Sequence, residues 1–144
     1  KQSIIHKNPF VSRYQNNDDI FVHMRMGDVY ENSWNPSLEY YEKAIEEWTS
    51  TNENCNIYVS TDDPQNPMVN QILKKYANTE LLSITPEQTI MFGSTCKYIV
   101  LSHGSFSAVI GWLAYYSKIC YPKYERAKVK WFGNMFSIDD WNAM

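Results

Sequence analysis

Along this chain, short and mostly apolar runs alternate with segments whose apolar residues recur every three or four positions. The first run spans residues 20–26, and others follow at 56–60, 81–84, 97–101 and 118–121. Short apolar runs of this length are typical of strands buried in a parallel sheet. The pattern therefore predicts strands at these five places.

The segments between the runs carry helix signals. Asn35-Pro36 predicts a helix start with asparagine as the N-cap and proline in the first position, and Asn66-Pro67 repeats this signal. Thr85 and Gln88 have the spacing of a capping box. The predicted buried faces comprise Leu38, Tyr41, Ile45 and Trp48 in the first helix, and Val69, Ile72, Leu73 and Tyr76 in the second. The helix that follows Thr85 carries the apolar residues Ile90, Met91 and Phe92. Further helices are predicted over 106–116 and from Ser137 onward.

Strand and helix thus alternate about four times, with short connections. This order predicts an α/β fold, a Rossmann-like three-layer sandwich with a mostly parallel sheet. The length of 144 residues fits one domain over 1–144, in which 1–19 form a polar, irregular lead-in. Because ligands of open α/β sheets bind outside the carboxyl ends of the strands, we expect function in the loops that follow them.

Composition narrows the classes of function. Lys plus Arg number 13 and Asp plus Glu 16, a net charge of −3, which argues against nucleic-acid binding. The three cysteines, Cys55, Cys96 and Cys120, have no CxxC spacing, so neither a disulfide framework nor a zinc site is indicated. We expect no transmembrane segment and no signal peptide in this chain, and a cytoplasmic setting is favoured.

The loop His23-Met24-Arg25-Met26-Gly27-Asp28 ends the first predicted strand. Side chains alternate along a strand, so His23 and Arg25 share one side while Met24 and Met26 take the other. The planar fork of an arginine suits a diphosphate, because it donates two parallel hydrogen bonds to phosphate oxygens. The alternative is a salt bridge from Arg25 to Asp28 or to another carboxylate.

Two carboxylates, Asp62 and Asp63, follow the second predicted strand. Such a pair could bind a metal, accept hydrogen bonds from a ribose or guanine, or cap the next helix. Adjacent aspartates before a proline are also common turn formers. No histidine or third carboxylate lies nearby in sequence, which weakens the metal interpretation.

A third loop, Ser102-His103-Gly104-Ser105-Phe106-Ser107, leads into a predicted helix. A helix amino terminus presents free N–H groups and a positive dipole end, which suit a phosphate. The alternative is simple capping of the helix by Ser105 or Ser107. Each of the three loops follows a strand of one sheet and offers groups suited to part of a nucleoside diphosphate, so together they predict a nucleotide site.

At these loops the sequence resembles a known family. His23-Met24-Arg25-Met26-Gly27-Asp28 resembles the His-x-Arg-Arg-x-Asp motif of the α-1,2-fucosyltransferases and the related α-1,6-fucosyltransferases. Thr61-Asp62-Asp63-Pro64 is similar to the second motif of the α-1,6 enzymes. Ser105-Phe106-Ser107, after the cysteine and lysine at 96–97 and a strand, is similar to a segment of α-1,2 members. The resemblance covers residues 20–131, with the motifs in the family's order.

The resemblance implies the carboxyl-terminal, donor-binding half of a two-domain glycosyltransferase of the GT-B type. The implied reaction is inverting transfer of L-fucose from GDP-fucose to a hydroxyl of an acceptor glycan, with no metal and no other cofactor. Carried over by position, the resemblance implies that His23 contacts the nucleotide and Arg25 the diphosphate. It also implies that Asp62 or Asp63 contacts the guanine or ribose, and that Ser105 and Ser107 hold phosphate. Phe106, between the two serines, is counted with them among the donor-binding residues.

The sequence also departs from the family. Met26 stands in place of the second motif arginine, so the donor could differ from GDP-fucose. A chain of 144 residues does not hold both halves, so we expect an upstream acceptor domain or a reduced protein. Asp28 and Glu31 are the candidate general bases, and Asp28 could instead orient Arg25.

Two aromatic residues of the same loop, Tyr30 and Trp34, could stack on an acceptor sugar or pack on the first helix. The alternative function is a non-catalytic nucleotide- or glycan-binding domain of a larger protein. A plain interaction domain without a ligand is the third hypothesis.

Overall fold

The computed structural model describes residues 1–123 and 135–144 of the chain. Among them, six strands form one parallel sheet: β1 (Ile20–Met24), β2 (Ile57–Thr61), β3 (Thr79–Leu81), β4 (Tyr98–Val100), β5 (Lys118–Tyr121) and β6 (Asn142–Ala143). The strand order is β3-β2-β1-β4-β5-β6, and every neighbouring pair is parallel. The direction of winding therefore reverses between β1 and β4, which is where such folds bind ligands.

The helices lie on both faces of this sheet. They are α1 (Gln2–Lys7), α2 (Gly27–Glu31), α3 (Leu38–Thr49), α4 (Pro67–Lys75), α5 (Pro86–Gly93) and α6 (Ser105–Leu113), and a 3-10 turn spans Val11–Arg13. Helices α3 and α4 pack on one face of the sheet, and α5 and α6 pack on the other. The predicted α/β, Rossmann-like three-layer sandwich is confirmed.

Alternation along β1 divides the core between the two faces. Val22 and Met24 are fully buried under α3 and α4, whereas Phe21 points to the α5 and α6 side. A Cβ atom at Gly93 would lie 2.9 Å from the Phe21 ring, so only glycine lets α5 approach this strand. Met26 packs in the same core as Met24, on the side opposite His23, as the alternation predicts.

Local capping explains where the helices begin. Thr85 and Gln88 form the predicted capping box, and Asn66 caps α4 by accepting a hydrogen bond from the Met68 N–H. The prediction of Asn35 as an N-cap is wrong. Ser37 caps α3 instead, because its hydroxyl accepts from the Tyr40 N–H at 3.2 Å, while the Asn35 amide donates to the Pro36 carbonyl.

Other predicted boundaries also shift. The strand predicted over 20–26 ends at Met24, because Gly27 turns the chain with a φ of +38°. The strand predicted over 81–84 lies at Thr79–Leu81, and the helix predicted over 106–116 spans Ser105–Leu113.

The two ends of the chain differ from their predictions. Residues 1–19 contain α1 and the 3-10 turn, held by Asn8, whose side-chain amide donates to Tyr14 Oη and to the Met91 carbonyl. The helix predicted from Ser137 is absent. A turn leads instead into β6, because Trp141 packs against Gly111 of α6 and holds this segment on the sheet.

The last part of the family resemblance, residues 124–131, lies outside the described residues. Within the described part of the chain, no helix has the length and apolarity needed to cross a bilayer.

Candidate functional site

The loops that follow β1, β2 and β4 meet at one edge of the sheet, as the sequence predicts. A cleft of about 330 Å³ opens there, which we call the edge cleft. Its volume is within the range of small-molecule sites, roughly 300–1,000 Å³. The lining residues are His23, Arg25, Ser60, Thr61, Asp62, Leu82, Ile84, Pro86, Thr89 and Phe106.

Hydrogen bonds join these loops. The Asp62 carboxylate, after β2, accepts from the Met26 N–H at 2.7 Å, and the Ser102 hydroxyl, after β4, accepts from the Arg25 N–H at 3.1 Å. Ser102 is itself held by Tyr41 Oη at 2.8 Å, from α3. The backbone at the end of β1 is therefore fixed from both neighbouring strands.

Arg25 lies between two carboxylates. Its Nη2 is 2.6 Å from Asp28 Oδ1, and its Nη1 forms an ion pair with Asp62 Oδ2. The salt bridge to Asp28 is one of the two alternatives that the sequence leaves open. The Arg25 side chain lines the edge cleft and is 35% exposed, so we call this end of the cleft its mouth. One cation with two anions leaves this group with a net charge of −1.

Gly27 is required at this turn. Its φ of +38° lies in the left-handed region, and a Cβ atom there would come within 2.6 Å of Asp62 Oδ2. Because Asp62 bonds Arg25 and the backbone of Met26, its role in the structure is to position the end of β1.

Asp63 is a turn former and does not line the edge cleft. Its N–H donates to Thr61 Oγ1 at 3.1 Å, and its carboxylate accepts from the Asn66 side chain at 3.3 Å. Of the two predicted carboxylates, Asp62 alone lines the cleft. Among the described residues, no three or more His, Cys, Asp or Glu side chains are grouped to hold a metal ion.

His23 is buried beneath the edge cleft and bonded to Ser107. Its Nδ1 lies 2.6 Å from Ser107 Oγ, which also accepts from the Ser102 N–H at 2.8 Å. Burial, and secondarily the charge of Arg25, lower the pKa of His23 to about 3, so the imidazole is neutral at pH 7.

This arrangement assigns the tautomer of His23. Ser107 is fully buried, and if Nδ1 carried the proton, the Ser107 hydroxyl hydrogen would have no acceptor among the described residues. We therefore assign Ser107 as the donor to Nδ1, which leaves the proton of His23 on Nε2. The Phe106 ring packs on this imidazole, with centroids 5.1 Å apart.

The amino terminus of α6 differs from the expectation in one respect. Ser107 is fully buried, its hydroxyl is bonded to His23 and Ser102, and it does not cap the helix. Its contact with phosphate stays a prediction. Ser105 is exposed, and α6 has no side-chain cap. Gly104 has a φ of +102° and open space around its Cβ position, so an anion could approach these backbone N–H groups closely.

The two candidate bases lie on α2, outside the edge cleft. Asp28 is 68% exposed at its side chain and bonded to Arg25, which matches its alternative orienting role. Glu31 is exposed at the end of the helix. Trp34 lines a second cleft, of about 420 Å³, together with Tyr40 and His103.

Three polar residues of the edge cleft, Ser60, Thr61 and Thr89, were not among the site residues that the sequence predicts. Ser60 is the register partner of His23 on β2, so strand alternation could have placed it beside the histidine. Thr89 had no such signal, because its position depends on how α5 packs against the sheet.

No protein-family model, no curated protein and no solved structure matches the chain significantly.

Proposed function

We propose that this chain is the donor-binding part of a glycosyltransferase, with GDP-fucose as the donor and a glycan hydroxyl as the acceptor. One observation carries the proposal. His23, Arg25, Asp62 and Phe106, from three separate loops, line a single cleft beside the uncapped amino terminus of α6. All four belong to the motifs on which the resemblance to the fucosyltransferases rests.

In this proposal the diphosphate of the donor lies between Arg25 and the first turn of α6. An arginine has five N–H donors, and the contacts to Asp28 and Asp62 leave several for phosphate oxygens. The exposed Asp28 is released when phosphate takes its place, while Asp62 continues to position Arg25. The exchange removes one negative charge from a site that must accept a dianion.

Arg25 and the α6 amino terminus then stabilise the charge that develops on the departing diphosphate. The acceptor oxygen forms the new bond to the sugar carbon as the bond from that carbon to phosphate breaks. The acceptor's proton passes to a carboxylate, and Asp28, once released from Arg25, is the carboxylate that we assign to this role.

A screen of nucleotides by thermal shift tests the proposal, using GDP, UDP, ADP and CMP as probes. We expect GDP to raise the melting temperature most, because binding to the folded state alone stabilises it. Stabilisation by none of the four would overturn a nucleotide site, and a stronger effect of another nucleotide would overturn GDP-fucose as the donor.

A second function is favoured by one observation: neither Asp28 nor Glu31 lines the edge cleft. A domain that binds the nucleotide or a glycan without catalysis would have the same cleft. Incubation with GDP-fucose and a panel of β-galactosides separates the two. Transfer or slow release of fucose supports the enzyme, whereas binding of GDP-fucose with neither reaction supports the binding domain.

A further inference from the structure

Besides His23, Thr61 and Asp62, two polar side chains of the edge cleft take no part in the proposed contacts to diphosphate. Ser60 on β2 is 9% exposed and Thr89 on α5 is 5% exposed, and both line the cleft. Within residues 1–123 and 135–144, neither hydroxyl has a hydrogen-bond partner.

These hydroxyls are not sealed from the cleft. Among the described residues, the one side-chain polar atom that is inaccessible to solvent and has no hydrogen-bond partner is Tyr98 Oη, so neither Ser60 Oγ nor Thr89 Oγ1 belongs to this class. The oxygens of Ser60 and Thr89 are unpaired but still reach open space. A nearly buried hydroxyl is costly to leave unpaired, so these two are suited to hydrogen-bond a group that enters the cleft.

The walls around the two hydroxyls are apolar. Leu82, Ile84 and Pro86 lie along the loop after β3, and the Phe106 ring lines the same cleft. The charged lining residues, Arg25 and Asp62, are paired with each other at the mouth. The neutral His23 adds an N–H donor at Nε2. Apolar walls with a few neutral polar groups fit a flat ring that has apolar faces and polar edges.

From this we infer that Ser60 and Thr89 hydrogen-bond the edge of the donor's nucleobase and determine which base the cleft accepts. The inference rests on the proposed function. It places the base in the inner part of the cleft, beneath the Leu82–Pro86 wall, and the diphosphate at its mouth.

The test is titration calorimetry with GDP and with inorganic pyrophosphate, on the wild type and on Ser60→Ala and Thr89→Val. Thr89→Val keeps the shape of the side chain and removes the hydroxyl, and Thr89→Ser restores the hydroxyl. Ser83→Ala is the matched control, since Ser83 is exposed in the same loop and does not line the cleft.

We expect each of the two hydroxyl deletions to raise the dissociation constant for GDP by about tenfold, the scale of one neutral hydrogen bond. Thr89→Ser and Ser83→Ala should stay within about threefold of the wild type on the same scale. Pyrophosphate has no base, so its affinity should not change.

GDP binding that is unchanged in both deletions, or equal losses for GDP and pyrophosphate, would overturn the inference while leaving the proposed function in place. A wild type that binds no GDP overturns both. If Thr89→Val does not fold, Ser60→Ala decides the question, because it removes a single atom.

Discussion

Ser107 Oγ lies 2.6 Å from His23 Nδ1, so a hydroxyl on α6 holds the imidazole at the end of β1 in one orientation. The same oxygen accepts from the Ser102 N–H, and Ser102 in turn accepts from the Arg25 N–H. This chain of hydrogen bonds ties the loop after β4 to the loop after β1. The positions of His23 and Arg25 are therefore coupled.

The first prediction concerns the dependence of stability on pH. The pKa of His23 is 6.5 in the unfolded chain and about 3 in the folded protein, so between these values the unfolded state binds a proton that the folded state does not. The contribution of the neutral His23 to the free energy of unfolding is therefore present above pH 6.5 and decreases as the pH falls below that value. From about pH 8 to about pH 5 the loss amounts to about 2 kcal/mol.

Urea unfolding at several pH values measures this effect. His23→Gln should remove that part of the pH dependence, while the matched variant His6→Gln, at an exposed position of α1, should retain it. Identical pH profiles for the wild type and His23→Gln would show that the buried imidazole is not the cause.

The second prediction concerns Ser107. Ser107→Ala leaves the buried Ser102 N–H and His23 Nδ1 without a partner, so we expect a loss of about 2 kcal/mol in the free energy of unfolding. Ser105→Ala is the matched control on the same helix, and because Ser105 is exposed its effect should be within about 0.5 kcal/mol. Equal effects of the two substitutions would contradict the buried hydrogen-bond chain.

The third prediction concerns Gly27. Gly27→Ala places a methyl group against Asp62 Oδ2 and forces a left-handed φ on alanine, so we expect a loss of stability of about 2 kcal/mol. In an Asp62→Ala background the clash is absent, and the cost of Gly27→Ala should fall to about 1 kcal/mol, that of the backbone alone. Chemical denaturation of the four proteins measures the coupling, and additive effects would contradict the contact.

Much of this arrangement follows from the sequence. An asparagine or threonine followed by a proline correctly predicts where α4 and α5 begin, because the capping of a helix depends only on residues within its first turn. The spacing of three residues between Arg25 and Asp28 was enough to suggest their ion pair. Alternation along β1 placed Met26 in the core, opposite His23.

The remaining features depend on long-range packing. Ser105 and Ser107 are equally plausible phosphate ligands in sequence, and only the rotation of α6 against the sheet turns Ser107 inward. The carboxylate of Asp62 is drawn to the Met26 N–H by the register of β1 and β2, and no local pattern encodes that bond. The terminal segment pairs as β6 because Trp141 finds space beside Gly111.

The fourth prediction separates two roles of Asp28. If its carboxylate competes with phosphate for Arg25, Asp28→Asn should tighten GDP binding by about threefold, since one negative charge leaves the site. If Asp28 also accepts the acceptor's proton, the same variant should lose fucosyl transfer while it binds GDP well.

Calorimetry and a transfer assay on the same preparation give both results. Glu31→Gln, on the same helix and equally outside the cleft, should not change GDP affinity, and loss of transfer in this variant instead of Asp28→Asn would assign the proton to the other candidate base. Weaker GDP binding by Asp28→Asn would show that the carboxylate supports the site instead of competing for Arg25.

The most direct test of the nucleotide site is the affinity of Arg25→Ala for GDP, measured by titration calorimetry against Lys74→Ala, which removes a positive charge on the exposed side of α4. We predict saturable binding of GDP to the wild type and to Lys74→Ala, and a loss of at least about 30-fold in folded Arg25→Ala, the scale of a charged contact. Equal affinity of folded Arg25→Ala and the wild type would contradict a diphosphate at the mouth of the edge cleft.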